Sequence, residues 1–308
     1  MAERKIVARV SGGLGNQLFI YAAARRMAIE RGAKLYMDHL SAFQTDKFGA
    51  IYQLRHFAVK SELAPEKYCF RTSFGRKKRE LLKGLSNSLP LSRKFIVKEL
   101  DFIPPGSTQN PDFKQPLRDL LRLEGYWQAV RYFHPYEKEI REDLRITSPL
   151  NAQSRAVLTD IRNCEAVCLH IRQRRGALHA PGMAAPKTVT QLGFDYYERA
   201  VEHIAARVRN PVFYCFGDDP DWLPPRWTFP YPVIFVSHNK EQESAYEDLA
   251  LMEACKHFIV GNSTFSWWAA WLARNPGKVI IAPKNEEGRL SWASEPDVNP
   301  PGWTELDV

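Results

Sequence analysis

Hydrophobic and polar positions follow two periods along this chain. Ile6–Val10 is a short apolar run that ends in SGGLGNQ (Ser11–Gln17). Leu18, Tyr21, Ala22 and Ala28 then recur at helical spacing as far as Arg31. Gly32 is a natural helix stop, and AKLYMD (Ala33–Asp38) resumes as a strand. Strand, helix and strand in this order open a parallel α/β layer. From about Ser41 to Pro149 the pattern is irregular and richer in proline and charge, so insertions and the rest of a first domain are expected there. The second half is cleaner. Strand-like runs occur at Ala166–Ile171, Val212–Phe216, Val233–Val236, Phe258–Val260 and Lys278–Ala282. Helical runs at Phe194–Val208, Ser244–Lys256 and Phe265–Arg274 lie between some of them. This alternation predicts a doubly wound, mostly parallel sheet. With 308 residues, two α/β domains are expected, residues 1–150 and 151–308.

In such sheets ligands bind outside the carboxyl ends of the strands. HFIVGNSTFSWWAAW (His257–Trp271) reads as a strand, a tight turn and a helix start. Asn262, Ser263 and Thr264 suit an N-cap, where unpaired N–H groups and the helix dipole favour an anion. Other strand ends carry His170, Arg172, Arg174 and Arg175, then Gly217, Asp218 and Asp219, then His238. Arginine beside a helix end suits a diphosphate, and an ionised carboxylate suits the two N–H donors of a guanine edge. No GxxxxGK[ST] occurs, so this is not a P-loop site. Gly13-Leu14-Gly15 lacks the third glycine of the dinucleotide fingerprint. It still supplies a backbone that a ligand can approach closely, with Asn16 at the turn. Each feature has a plainer reading: a capped helix, strand-end polar residues, a capped turn at Asp218 and Asp219, and a solvated helix edge at Asp248.

Composition narrows the classes. The chain is 44% hydrophobic and 25% charged, as expected of a globular protein. No apolar run is long enough to span a bilayer, and the N-terminus does not resemble a signal peptide. Five scattered cysteines without a CxxC pair fit a reducing, cytoplasmic setting and no zinc site. Asp219-Pro220-Asp221 is formally D-x-D, a metal-binding pattern, but its proline and Trp222 favour a turn; no metal is expected. The net charge of +8 is concentrated between Arg71 and Lys98. That stretch reads as a solvated face, or as one drawn to an anionic membrane surface or an acidic glycan. Nucleic-acid motifs are absent, and no nucleic-acid partner is expected.

SGGLGNQLFIYAAARRMA, HIRQRR, FGDDPDW and EDLALMEACKHFIVGNSTFSWWAAWL together resemble, in content and order, the blocks of the α-1,2-fucosyltransferase family, glycosyltransferase family 11. The resemblance spans Val7 to about Pro283 and rests mainly on NSTFSWW with GGLGNQ. It implies a GT-B-like architecture, two Rossmann-type α/β domains facing across a cleft, with no metal required. The implied donor is GDP-β-L-fucose, held mainly by the C-terminal domain. The implied reaction is transfer with inversion to a sugar hydroxyl, expected to be the 2-OH of a galactose in a glycan acceptor. By the same resemblance, Arg172 grips the diphosphate, His170 of the same H-x-R motif stands near the nucleotide, and Asp248 reads guanine. Asn262, Ser263, Thr264 and Phe265 form the phosphate loop, Asp218 belongs to the donor side, and Gly13, Gly15 and Asn16 face the donor from the other domain.

One departure stands out. The family motif H-x-R-R-x-D/N reads here His170-Ile171-Arg172-Gln173-Arg174-Arg175, so the second arginine and the terminal acid or amide are replaced. The catalytic base is not identified by the sequence; Asp38, Asp195 and Glu124 are candidates. Tyr126 and Trp127 are equally readable as acceptor-lining or core residues. Rival readings are a transferase of another GDP-sugar and a non-catalytic glycan binder, the latter suggested by eight tryptophans and twelve tyrosines.

Overall fold

The computed structural model describes residues 3–46, 49–103, 107, 109–172, 192–217, 230–284 and 298–308. The chain divides after Ser148 into two units. The first holds β1 (Lys5–Arg9), α1 (Leu14–Arg31), β2 (Lys34–Asp38), β3 (Glu62–Leu63), α2 (Ser73–Asn87), β4 (Ile96–Val97), β5 (Leu120–Leu123) and α3 (Glu137–Asp143). Its sheet runs β3-β2-β1-β5-β4, with every pairing parallel.

α1 starts four residues earlier than its apolar spacing suggests. Gly13 takes the N-cap with extended backbone, and Gly15 and Asn16 fall in the first helical turn instead of a loop. Fully buried Gln17 fixes this start: its Nε2 donates to Gly12 O at 2.9 Å and Ile51 O at 2.6 Å. Gly32 ends the helix in the left-handed region, where its N–H donates back to Ala28 O and Ile29 O.

The irregular middle contains more structure than its pattern shows. Arg26 donates to the carbonyls of Arg131 and Pro111, and Arg31 to those of Gln115 and Leu117. Side chains of α1 therefore satisfy the 111–118 backbone in place of a sheet ladder, so that stretch needs no period of its own. The basic stretch contains α2, capped by Thr72, whose Oγ1 accepts from Gly75 N at 2.9 Å.

The second unit holds α4 (Ala152–Arg162), β6 (Glu165–Ile171), α5 (Phe194–Ala205), β7 (Pro211–Gly217), β8 (Val233–Val236), α6 (Ala245–Ala254), β9 (His257–Ile259), α7 (Thr264–Leu272), β10 (Ile280–Pro283) and β11 (Thr304–Leu306). Its sheet is also wholly parallel, in the order β11-β10-β9-β6-β7-β8. Continuous apolar runs such as EAVCLHI suit strands covered on both faces. Val167, Leu169 and Ile171 of β6 form one core with Tyr196, Ala200 and Ile204 of α5. Period-two alternation turns Cys168 and His170 to the opposite face, where the Cys168 thiol meets that of Cys255. Trp267, Trp268 and Trp271 are buried, as their helical spacing predicts, and Trp267 Nε1 donates to Val298 O at 3.0 Å.

Candidate active site

The strand order creates a switch point. From β6 the chain winds outward through β7 and β8, then returns to the other side of β6 as β9 and winds outward again. The carboxyl ends of β6 and β9 therefore flank the one crevice in this sheet where strand order reverses, the ligand position of doubly wound folds. The end of β6 leads to His170 and Arg172, and that of β9 leads through Gly261 to α7.

Close approach dictates glycine at Gly261. A Cβ there would lie 2.5 Å from His170 O and 3.0 Å from His170 Nδ1. Ser263 is the N-cap of α7, and its Oγ accepts from Phe265 N at 3.2 Å. The same oxygen accepts from Arg172 Nη1 at 3.1 Å, which joins the two strand ends directly. Ser266 braces the turn from inside: its Oγ accepts from Gly261 N and donates to Ser263 O. From the other face, Tyr196 of α5 donates to Val260 O at 2.8 Å. A guanidinium and a helix N-terminus thus sit together on rigid elements, an arrangement that favours an anion.

His170 is buried, and its ring meets that of Phe265 edge-on at 6.1 Å. Burial and the charge of Arg172 lower its pKa to about 3, so the imidazole is neutral at pH 7. Its Nδ1 has no hydrogen-bond partner among the described residues. Asp248, in the first turn of α6, accepts from Asn239 Nδ2 at 2.8 Å. Asn239 also donates to Ser154 Oγ, which lies 2.9 Å from His238 Nε2. Burial pushes the Asp248 carboxyl up to about 7, against the lowering effect of Asn239 and with a smaller push from Glu247. The carboxyl therefore changes charge near neutral pH.

The first unit has its own switch point, between β1 and β5. Asn16 accepts from Gln128 Nε2 at 2.9 Å, which ties the start of α1 to the segment after β5. Gly12 has a φ of +73°, and a Cβ there would meet Asn16 Nδ2 at 2.6 Å. Among the proposed bases, Glu124 is held by Arg79 through two 2.6 Å hydrogen bonds. Burial pushes its pKa up, but Arg79 outweighs burial and holds it below the usual range, which makes Glu124 a poor base. Asp38 accepts from Leu40 N, Ser41 N and Ser41 Oγ. Asp195 lies exposed in α5, 3.6 Å from Arg199. Tyr126 is exposed, whereas Trp127 is core.

The structure thus brings Arg172, His170, Gly261, Asn262, Ser263, Thr264 and Phe265 to one strand-end cluster. Asp248 lies in a side-chain network with Asn239, and Gly13, Gly15 and Asn16 lie in the first unit. Asp218, like Gln173, Arg174, Arg175 and the D-x-D pair, lies outside the described residues. Sequence reasoning missed Ser266, Asn239 and Ser154. The only signal for Ser266 was its place three residues after the N-cap serine; Asn239 and Ser154 gave none, because their partners are distant in sequence. A separate cavity of about 620 Å³, lined in part by Glu165, Arg207, Lys256 and His257, opens at the amino ends of β6, β7 and β9, away from the switch point. No helix among the described residues is long and apolar enough to cross a membrane.

Two parallel α/β units, the second with an anion-suited switch point, have the layout of the GT-B fold. FUT1 of Arabidopsis thaliana, solved as a mutant in complex with GDP, shares the fold with a TM-score of 0.54 at 13% identity, over 91% of this chain and 70% of that chain. Residues 110–307 match the model of glycosyl transferase family 11, more than half of the chain, and the chain belongs to that family. It is 26% identical to alpha-1,2-colitosyltransferase of Escherichia coli, over 90% of this chain and 91% of the other. Similarity to galactoside alpha-(1,2)-fucosyltransferase 1 of Aotus azarae is 25% identity over 50% of this chain and 43% of the other.

Proposed function

We propose that the protein transfers L-fucose from GDP-β-L-fucose to a hydroxyl of a glycan acceptor, with inversion, giving an α-linkage to the 2-OH of a galactose. The observation that carries the donor reading is the hydrogen bond between Arg172 and Ser263 at the switch point. As GDP departs, negative charge grows on the β-phosphate and positive charge on the sugar ring. Arg172 and the N-terminus of α7 stabilise the former as preorganised electrostatics, with no metal in the reaction. Neutral His170 orients the donor, and ionised Asp248 accepts from the guanine edge. Asn262, Thr264 and Phe265 line the phosphate side, together with Asp218. The second unit is the donor domain, and the first, which holds Gly13, Gly15 and Asn16, takes the acceptor. Galactose as acceptor is supported by the names of relatives that match half of this chain. The five free cysteines fit a reducing, cytoplasmic compartment.

A second reading has its own support, since a relative that aligns over 90% of this chain is named a colitosyltransferase. There the same machinery would carry a different sugar. One experiment tests both. Thermal unfolding is measured with GDP, with and without EDTA, followed by turnover with GDP-fucose against a colitosyl donor. A GDP-induced rise in midpoint that EDTA leaves unchanged, with turnover of GDP-fucose, is the expected result. Absence of any GDP shift would overturn the nucleotide site, and a strict preference for the colitosyl donor would replace the fucosyl reading.

A further inference from the structure

α2 turns mostly polar side chains inward, with Leu82 half-buried among them, and its other large apolar side chains outward. Towards the protein, Ser86 Oγ accepts from Phe95 N and Ile96 N and donates to Ile96 O. Arg79 bonds Glu124, and Lys83 Nζ lies 3.7 Å from the same carboxylate. Towards solvent, Phe74, Leu81 and Leu85 are 78%, 66% and 56% exposed. At about 100° per residue these three fall within an arc of about 40°. Lys77 borders the arc on one side and Lys78 on the other, and both are exposed. The exposed acid of the helix, Glu80, lies outside the arc and is paired with Arg79. Beyond the helix ends, Arg93 is exposed and Arg71 is paired with Glu66.

An isolated exposed leucine needs no explanation, but a helical ridge of three large apolar side chains edged by lysines does. Its chemistry fits one occupant, the surface of an anionic phospholipid bilayer. Apolar side chains enter the boundary between headgroups and acyl chains, and flanking cations meet the lipid phosphates. We propose that α2 is an interfacial anchor that inserts Phe74, Leu81 and Leu85 into such a surface, with Lys77 and Lys78 at the headgroups. This anchoring is independent of which sugar the enzyme carries.

The test is flotation of the full chain with vesicles of phosphatidylcholine alone or with 30% phosphatidylglycerol (about one lipid in three anionic), alongside sedimentation equilibrium of the free protein. Binding is expected only to the anionic vesicles and is expected to weaken with salt. Lys77→Glu with Lys78→Glu should lower partitioning about tenfold or more. Phe74→Ser with Leu81→Ser and Leu85→Ser should abolish it while the thermal midpoint stays unchanged; Leu81→Ser alone serves if the triple variant unfolds. No binding to either vesicle overturns the proposal, as does equal binding to both or binding that survives loss of the ridge. A dimer that the ridge substitutions dissociate, without vesicle binding, assigns the ridge to a second copy of the chain instead.

Discussion

Both units bring strand ends together at a switch point, yet they fill it with different chemistry. In the second unit the ends of β6 and β9 carry one guanidinium, a neutral histidine and a serine-capped helix. In the first, the ends of β1, β2 and β5 carry Arg9, Asp38 and Glu124 side by side, and Arg79 comes in from α2. Positive charge meets negative within that cluster: Arg79 is bonded to Glu124, and Arg9 lies in the field of Glu124 and Asp38. The adjacent turn stores strain at Trp127, whose φ is +58°, and needs glycine at Gly125, whose φ is +126°. Half-buried Glu99 holds that turn by accepting from Tyr126 N and Trp127 N at 2.6 Å. Topology provides a crevice in each unit. The side chains make that of the second unit ready for an anion and that of the first internally neutralised.

Substitutions should separate the two. Arg172→Ala is expected to lower turnover by about 10²–10³-fold at an unchanged unfolding midpoint; near-normal kcat in a folded variant would end the donor-site assignment. Arg79→Ala leaves the Glu124 carboxylate buried without its guanidinium. It should cost about 3 kcal/mol of stability in denaturant titration yet leave GDP affinity intact. Loss of GDP binding in that variant would erase the contrast between the units. Gly261→Ala should destabilise by about 1–3 kcal/mol, because the new Cβ meets the His170 carbonyl, and should weaken GDP binding as well. Ser263→Ala removes the cap of α7 at about 1 kcal/mol, together with the Arg172 contact, and should raise the Kd for GDP in calorimetry.

A last contrast concerns pH. The Asp248 pKa is raised to about 7, so the folded state holds this proton more tightly than the unfolded chain. Its ionisation therefore lowers stability as pH rises from the usual carboxylate range to about 7, and the penalty is complete above that. Asp248→Asn should flatten this slope in thermal unfolding between pH 4 and 8. GDP affinity should move the other way. An acceptor for guanine N–H groups must be ionised, so affinity should strengthen from pH 6 to 8 in the wild type and lose that trend in Asp248→Asn. An identical pH profile in both would remove Asp248 from the nucleotide site.

The second unit was the more legible half, for a physical reason. A parallel sheet covered on both faces needs unbroken apolar strands, and VCLHI, VFYCF and FIV announce themselves against polar loops. The strand-end residues followed from the same reading, because side chains just past an apolar run stand at the rim of the sheet. The first unit was harder because its backbone is satisfied by side chains from elsewhere: Arg26 and Arg31 support the 111–118 stretch, and Glu99 supports the turn at Tyr126. α2 escaped detection because its apolar row faces solvent, while its inward side holds half-buried Arg79, Leu82 and Lys83 and buried Ser86.

The sequence by itself determined the α/β periods, the capped turn at Ser263 and the order of motifs that marks family 11. Local spacing encodes these, and local spacing can be read one window at a time. Only the tertiary structure decided that β9 lies beside β6, which puts Arg172 within a hydrogen bond of Ser263. It also decided that Glu124 is neutralised by an arginine 45 residues away in sequence, and that Trp127 is core while Tyr126 meets solvent. Those outcomes depend on which strands pair and what each face then covers, and a linear pattern of residues does not contain that information.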